Sequence, residues 1–231
     1  MTAPPPASWP AAGPLAGATI VDLTMTFSPD ITPVPGHPCA EIVPLHEHAT
    51  HGRSNSIVRF SIHTGTHVDA PYHFFPNGLT MDQVPLDRLL RPAVRCDLRE
   101  RATPQRPFTR ADLEAGGLAA GSLRGRIPVL YSGWSAEHYQ ASDFYTRNPY
   151  LAEDTARWLA EEGIAALAID FAVDPAEPYP CHQILLGQSI PLIENLIGLD
   201  ALDRREFTLI AFPQKIGGGN GGQARVAAVY G

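Results

Sequence analysis

The 231-residue chain has little that would tie it to an oxidising compartment, a membrane or a nucleic acid. Its three cysteines, Cys39, Cys96 and Cys181, stand far apart with no Cys-x-x-Cys pair. That argues against a zinc ribbon or a disulfide framework and fits a cytoplasmic location. No apolar run approaches the roughly eighteen residues that span a bilayer. The opening MTAPPPASWPAAGP lacks the basic and apolar regions of a secretory signal, and the Pro/Ala-rich stretch 1–17 reads as a loose tail. A net charge of −7 offers no basic face to phosphate backbones. The His-Glu-x-x-His pattern of zinc proteases is missing, since Thr64 follows His63, and no Gly-x-Ser-x-Gly elbow occurs.

What remains is an ordinary globular composition, 44% hydrophobic and 18% charged, in a length that one domain over 18–231 accommodates. Short apolar or β-branched runs predict strands at 18–23, 56–62, 93–98, 127–132, 164–170, 207–212 and 225–230. The clearest helix is NPYLAEDTARWLAEEG, with Asn148 as N-cap, Pro149 in the first turn and Gly163 at its end. Shorter helical pieces are expected at 82–90, 109–115, 150–161 and 182–186. Strands outnumber helices, which points to one α/β domain with a mixed, largely β core and peripheral helices.

One stretch carries chemistry. SIHTGTHVDAPYH (61–73) holds His63, His67, Asp69 and His73 on odd positions beside Gly65 and Pro71. In a straight strand His63 and His67 would stand about 13 Å apart, while Gly65, Thr66, Val68 and Pro71 resist a regular helix. The residues therefore predict a strand ending near Ile62, then a tight turn at Gly65 that folds the side chains inward, with Pro71 fixing the exit. Imidazole nitrogen and carboxylate oxygen suit borderline divalent ions such as zinc and manganese. Such an ion lowers the pKa of its bound water to about 7 and so supplies a hydroxide nucleophile.

Other tempting features receive plainer readings. His46, His48 and His51 read as a solvated loop, and Trp134 as a core or pocket-wall residue. Asp170 and Asp174 read as structural caps after a strand. GGGNGG (217–222) has too little chain after it for dinucleotide binding and reads as a hairpin that approaches the site or a neighbouring subunit.

HTGTHVDAPYH (63–73) closely resembles the His-x-Gly-Thr-His-x-Asp-x-Pro-x-His signature of the cyclase family of metal-dependent hydrolases, which includes bacterial kynurenine formamidases and isatin hydrolases. YSGW (131–134), HQILLGQSIPLIENL (182–196) and FPQKIGGGNGGQARVAAVY (212–230) are similar to further segments of that family. The resemblance implies the swivelling β/β/α-like cyclase fold. It implies His63, His67 and Asp69 as ligands of one ion, with Asp69 reaching a second that His182 and Glu194 complete. The ions would be zinc or manganese, two per subunit, and His73 the proton shuttle. The implied reaction is hydrolysis of an amide C–N bond in a small aromatic metabolite, foremost an aryl formamide such as N-formylkynurenine. A cyclic amide of the isatin kind, or a non-catalytic small-molecule binder on the same fold, are the alternatives. The family also implies a homodimer or homotetramer. The segment PVPGHP (33–38) departs from the Gly-Asp segment associated with the formamidases, having His37 after Gly36.

Overall fold

In the computed structural model, residues 13–231 are described. The first half of the chain gives β1 (Thr19–Asp22), β2 (Glu41–His46), α1 (His48–His51), β3 (Asn55–Arg59), β4 (His67–Asp69), β5 (Leu90–Asp97), β6 (Pro107–Phe108) and α2 (Arg110–Ala115). There follow β7 (Ile127–Tyr131), α3 (Trp134–His138), α4 (Phe144–Arg147), β8 (Tyr150–Leu151), α5 (Glu153–Glu161), β9 (Leu167–Ile169), α6 (Pro180–Gly187), β10 (Leu192–Glu194), β11 (Glu206–Pro213) and β12 (Gly221–Tyr230). Residues 1–12 of the expected loose tail lie outside the described residues, and Gly13–Leu15 form a 3-10 turn.

Eight strands form one sheet in the order β1-β12-β11-β5-β7-β9-β10-β4, and β4 pairs again with β12, so the sheet closes on itself. The β5-β7-β9-β10 run is parallel, whereas every joint made by β11, β12, β4 and β1 is antiparallel. One edge of β12 is shared: Gly221–Gln223 pair with Asp69–His67 of β4, and the strand's far end pairs with β1. The molecule is thus a single α/β domain with a mostly β core, as expected.

The parallel strands are buried on both faces, which is why β7 reads as an unbroken apolar run. Val129 points into the barrel with Leu23, Val68, Ala168, Ile193 and Val226. Its neighbour Leu130 points the other way, into a second cluster with Phe108, Leu113, Leu159, Phe171 and Leu185 under α2, α5 and α6. Each such fully buried side chain contributes about 1.5–3 kcal/mol.

Several elements differ from expectation for identifiable reasons. Helix α5 begins at Glu153 rather than at 149, because Tyr150 and Leu151 pair in parallel with Pro107 and Phe108. Asn148 is no cap; its buried amide donates to the carbonyls of Pro149 and Ala172. Residues 82–90 give only a 3-10 turn, Leu86–Arg88, before the chain enters β5. The 109–115 and 182–186 pieces are present as α2 and within α6. The strand predicted over 56–62 stops at Arg59 and pairs with β2, not with the barrel. Together they make a two-stranded arm on which Ile42, Val43, Leu45, Ile57 and Val58 are all exposed.

Candidate metal centre

Strand pairing assembles the middle of the site. In the antiparallel register of β4 against β10, His67 stands directly opposite Glu194, and Asp69, two residues on, shares the face of His67. Gly65 at φ 68 turns the preceding chain. That turn is clamped by Asn195, whose amide donates to Gly65 O and whose carbonyl accepts from Thr66 Oγ1, and by Gln223, which donates to Thr64 O. It brings His63 back over Asp69, with the His63 and His67 rings 5.2 Å apart. The 3-10 turn Pro71–His73 stacks His73 on His63 at 4.0 Å. Gly221 of the glycine run is required here, since a Cβ would stand 2.8 Å from Val68 O and 3.2 Å from His63 Cε1.

The last imidazole arrives from α6. Asp174 caps that helix by accepting from the backbone N–H groups of Cys181 and His182, and its Oδ2 also takes the His182 Nδ1 proton at 2.7 Å. His182 Nε2 then lies 3.5 Å from Asp69 and 3.8 Å from Glu194. His67 is oriented in the same way, donating from Nδ1 to Gly65 O at 2.8 Å so that Nε2 sits 3.2 Å from Asp69 and 3.8 Å from Glu194. His63 Nδ1 donates to Asp69 Oδ1 at 2.7 Å.

Electrostatics follow from burying two carboxylates among imidazoles. Burial alone would raise Asp69, but the charges of His63 and His67 and hydrogen bonds from His182 and His63 hold it well below the usual range. Glu194 is raised by burial and by Asp69, against the pull of His182 and His67. Burial would lower both imidazoles, yet Asp69 and Glu194 raise His67, and Asp174, Asp69 and Glu194 lift His182 to about 10. His73 goes the other way, to about 4: burial and the neighbouring His63, His182 and His67 outweigh the attraction of Asp69.

The residues fit a divalent cation. His63 Nε2 is buried with no hydrogen-bond partner, and Asp69 Oδ2 has none nearer than His182 Nε2 at 3.5 Å, which is costly unless a further group meets them. Donor atoms of His67, Asp69 and Glu194 lie within 4.8 Å of one another, as do those of His63, Asp69 and His73. Without a cation the carboxylates draw protons onto His67 and His182, and metal binding releases such protons.

All six residues singled out by the sequence, His63, His67, Asp69, His73, His182 and Glu194, line one cavity of about 710 Å³. The geometric grouping differs from the partition that the resemblance implies, since His67 groups with Asp69 and Glu194, and His73 with His63 and Asp69. Trp134 is a core residue, its indole donating to Phe144 O, and it does not line the cavity. His46, His48 and His51 are outside the cavity, on the arm and the turn that joins its strands. Asp170 is structural as expected: it takes the N–H groups of Ser132 and Gly133, with burial pushing its carboxyl up to about 7 against those bonds. Asp174 does more than cap, because it fixes the ring of His182. Sequence reasoning also missed the aromatic wall, Phe74, Tyr145 and Tyr179. Phe74, next to His73, could have been found from its position; the others lie far from the signature.

The chain's similarities agree with this geometry. The model of the family described as Putative cyclase matches residues 21–175. A kynurenine formamidase of Bacillus anthracis is 28% identical over 212 residues, covering 89% of this chain and 94% of that protein. One from Salinibacter ruber is 33% identical over 171 residues, covering 73% and 76%. Among solved structures, an isatin hydrolase bound to the product analogue thioisatinate superposes with a TM-score of 0.83 at 21% identity, covering 92% of each chain. Isatin hydrolase A from Labrenzia aggregata, bound to benzyl benzoate, gives 0.80 at 25% identity, covering 92% of this chain and 94% of that one.

Proposed function

The chain belongs to the cyclase family, and from that premise we propose that it is a metal-dependent amidohydrolase acting on an aryl formamide such as N-formylkynurenine. One observation carries the reading: five metal-competent side chains from the β4 region, α6 and β10 converge, with Nδ1 of His67 and of His182 tied so that each Nε2 faces Asp69 and Glu194. His63, His67 and Asp69 would hold one divalent ion, and Asp69, His182 and Glu194 a second, zinc or manganese. Such an ion supplies Lewis acidity, polarising a carbonyl and acidifying water. Phe74, Tyr145 and Tyr179 offer an aromatic ring apolar faces beside the centre. His73, neutral and stacked on His63, accepts a proton from the attacking water and returns it to the leaving nitrogen.

A cyclic amide of the isatin kind is the second reading, supported by the fold shared with isatin hydrolases. Free cysteines favour a reducing, cytoplasmic setting, and no described helix is long and apolar enough to cross a membrane. The bare arm favours a homodimer or homotetramer. A screen of aryl formamides, isatin and lactams with zinc or manganese added tests the activity. Release of an aryl amine is expected. Saturable binding without product would instead make the chain a small-molecule binder.

A further inference from the structure

We propose that His37, held at the cavity mouth by Ser61, sets substrate specificity by hydrogen-bonding a carbonyl carried ortho to the scissile formamide. The inference rests on the aryl-formamidase reading and names the part of the substrate that the cavity selects.

Besides Gln105, Thr146 and Glu177, the polar lining of the cavity falls into two parts. One is the metal centre together with Asp174, which orients His182. The wall beyond it is largely apolar or aromatic, and neither lysine nor arginine lines it. His37 is the one lining imidazole outside the centre. Its Nδ1 lies 2.8 Å from Ser61 Oγ, and its backbone N–H donates to Val34 O at 2.9 Å across a turn in which Gly36 has φ 83. Ring and backbone each have a partner, although the residue itself is exposed. With the Ser61 hydroxyl donating to Nδ1, Nε2–H becomes the donor offered to the cavity.

The spacing suits a planar aryl amide. The His37 and His63 ring centroids are 6.5 Å apart and inclined at 58°. With the formyl group at the metal centre beside His63, a carbonyl on the adjacent ring carbon would be the substrate group within reach of His37. An imidazole N–H matches a carbonyl oxygen, whereas a carboxylate would call for arginine, which the lining lacks. Phe74 and Tyr179 meet edge to face at 5.9 Å and wall the slot in which the aryl ring would lie.

Steady-state kinetics on the metal-loaded protein with two substrates test this, formanilide and its ortho-acetyl derivative. The selectivity, the ratio of kcat/KM for the ortho-acyl over the plain substrate, is expected to fall about 2- to 10-fold in His37→Ala, the effect of losing one neutral hydrogen bond. The fall should appear in KM for the ortho-acyl substrate. Ser61→Ala should shift the ratio the same way by less, and His37→Asn, which keeps an N–H donor, should restore part of it. A wild-type ratio in His37→Ala overturns the inference, whatever happens to overall activity. If the wild type turns over neither substrate, the aryl-formamidase reading fails, and the assignment of His37 falls with it.

Discussion

His73 and Asp69 sit four residues apart and yet answer to different physics. Asp69 is drawn into its carboxylate form by the imidazoles around it, whereas His73 is stripped of its proton by burial. The first state suits holding a cation; the second leaves His73 unprotonated, the form from which a proton shuttle starts. His73→Ala should therefore reduce turnover by about 10²–10⁴-fold, the usual contribution of a positioned acid–base group, with metal content near that of the wild type by inductively coupled plasma analysis. Full activity would remove His73 from the mechanism, and lost metal would make it a ligand, as its place beside His63 and Asp69 permits. At this scale the sequence was most legible where chemistry is local. The crowding of His63 to His73 announces a site because few folds tolerate so many buried imidazoles without a partner. His37 and Asp174 were not legible, because each gains its role from a residue brought near by the fold: Ser61 for one and His182, eight positions on, for the other.

Elements were legible in proportion to their length. β11 and the middle of β12 alternate between buried and more exposed residues, a period that the order of residues displays. β4 and β10, three residues each, have too little length for any period, though their register creates the His67–Glu194 pair. The start of α5 was misplaced because pairing of β8 with β6 overrode the local preference for helix. Helix α2, expected at 109–115, is closed by a capping box: Thr109 accepts from Asp112 N at 3.3 Å, and Asp112 Oδ2 accepts from Thr109 N at 2.9 Å. Burial opposes ionisation of Asp112, but hydrogen bonds from Arg106 and Thr109 prevail and lower its pKa. A depressed folded pKa gives stability that is present above the unfolded value and lost as pH falls through the folded one. Urea denaturation of Thr109→Ala at pH 7 should show a loss of about 1 kcal/mol. The stability gap between wild type and Asp112→Asn should narrow as pH drops below about 4; a gap constant into that range would contradict the assignment.

On the scale of the whole molecule, the arm is the feature that a lone chain does not explain. Ile42 pairs with Val58 and Val43 with Ile57 in the β2–β3 register, so aliphatic side chains face both sides of a ribbon that has no core of its own. A two-stranded ribbon is marginal in water, and a bare apolar face of this kind marks an interaction surface. Its second strand is foreshadowed by the run 56–62, but an apolar run does not tell against which molecule a side chain packs. Light scattering should give the wild type a mass that is a multiple of the 24.9 kDa chain, and Val43→Glu combined with Val58→Glu should shift it towards one chain. A wild type at a single chain mass would refute the homodimer or homotetramer.

The most direct measurement pairs metal content with turnover in the wild type and in Asp69→Asn, both purified in the same way and supplied with zinc or manganese. A metal-dependent amide hydrolase with Asp69 shared between two ions should hold more than one ion per chain and hydrolyse an aryl formamide, and Asp69→Asn should lose both metal and activity. Wild-type metal stoichiometry in Asp69→Asn, or hydrolysis that persists after the metal has been stripped, would contradict the account.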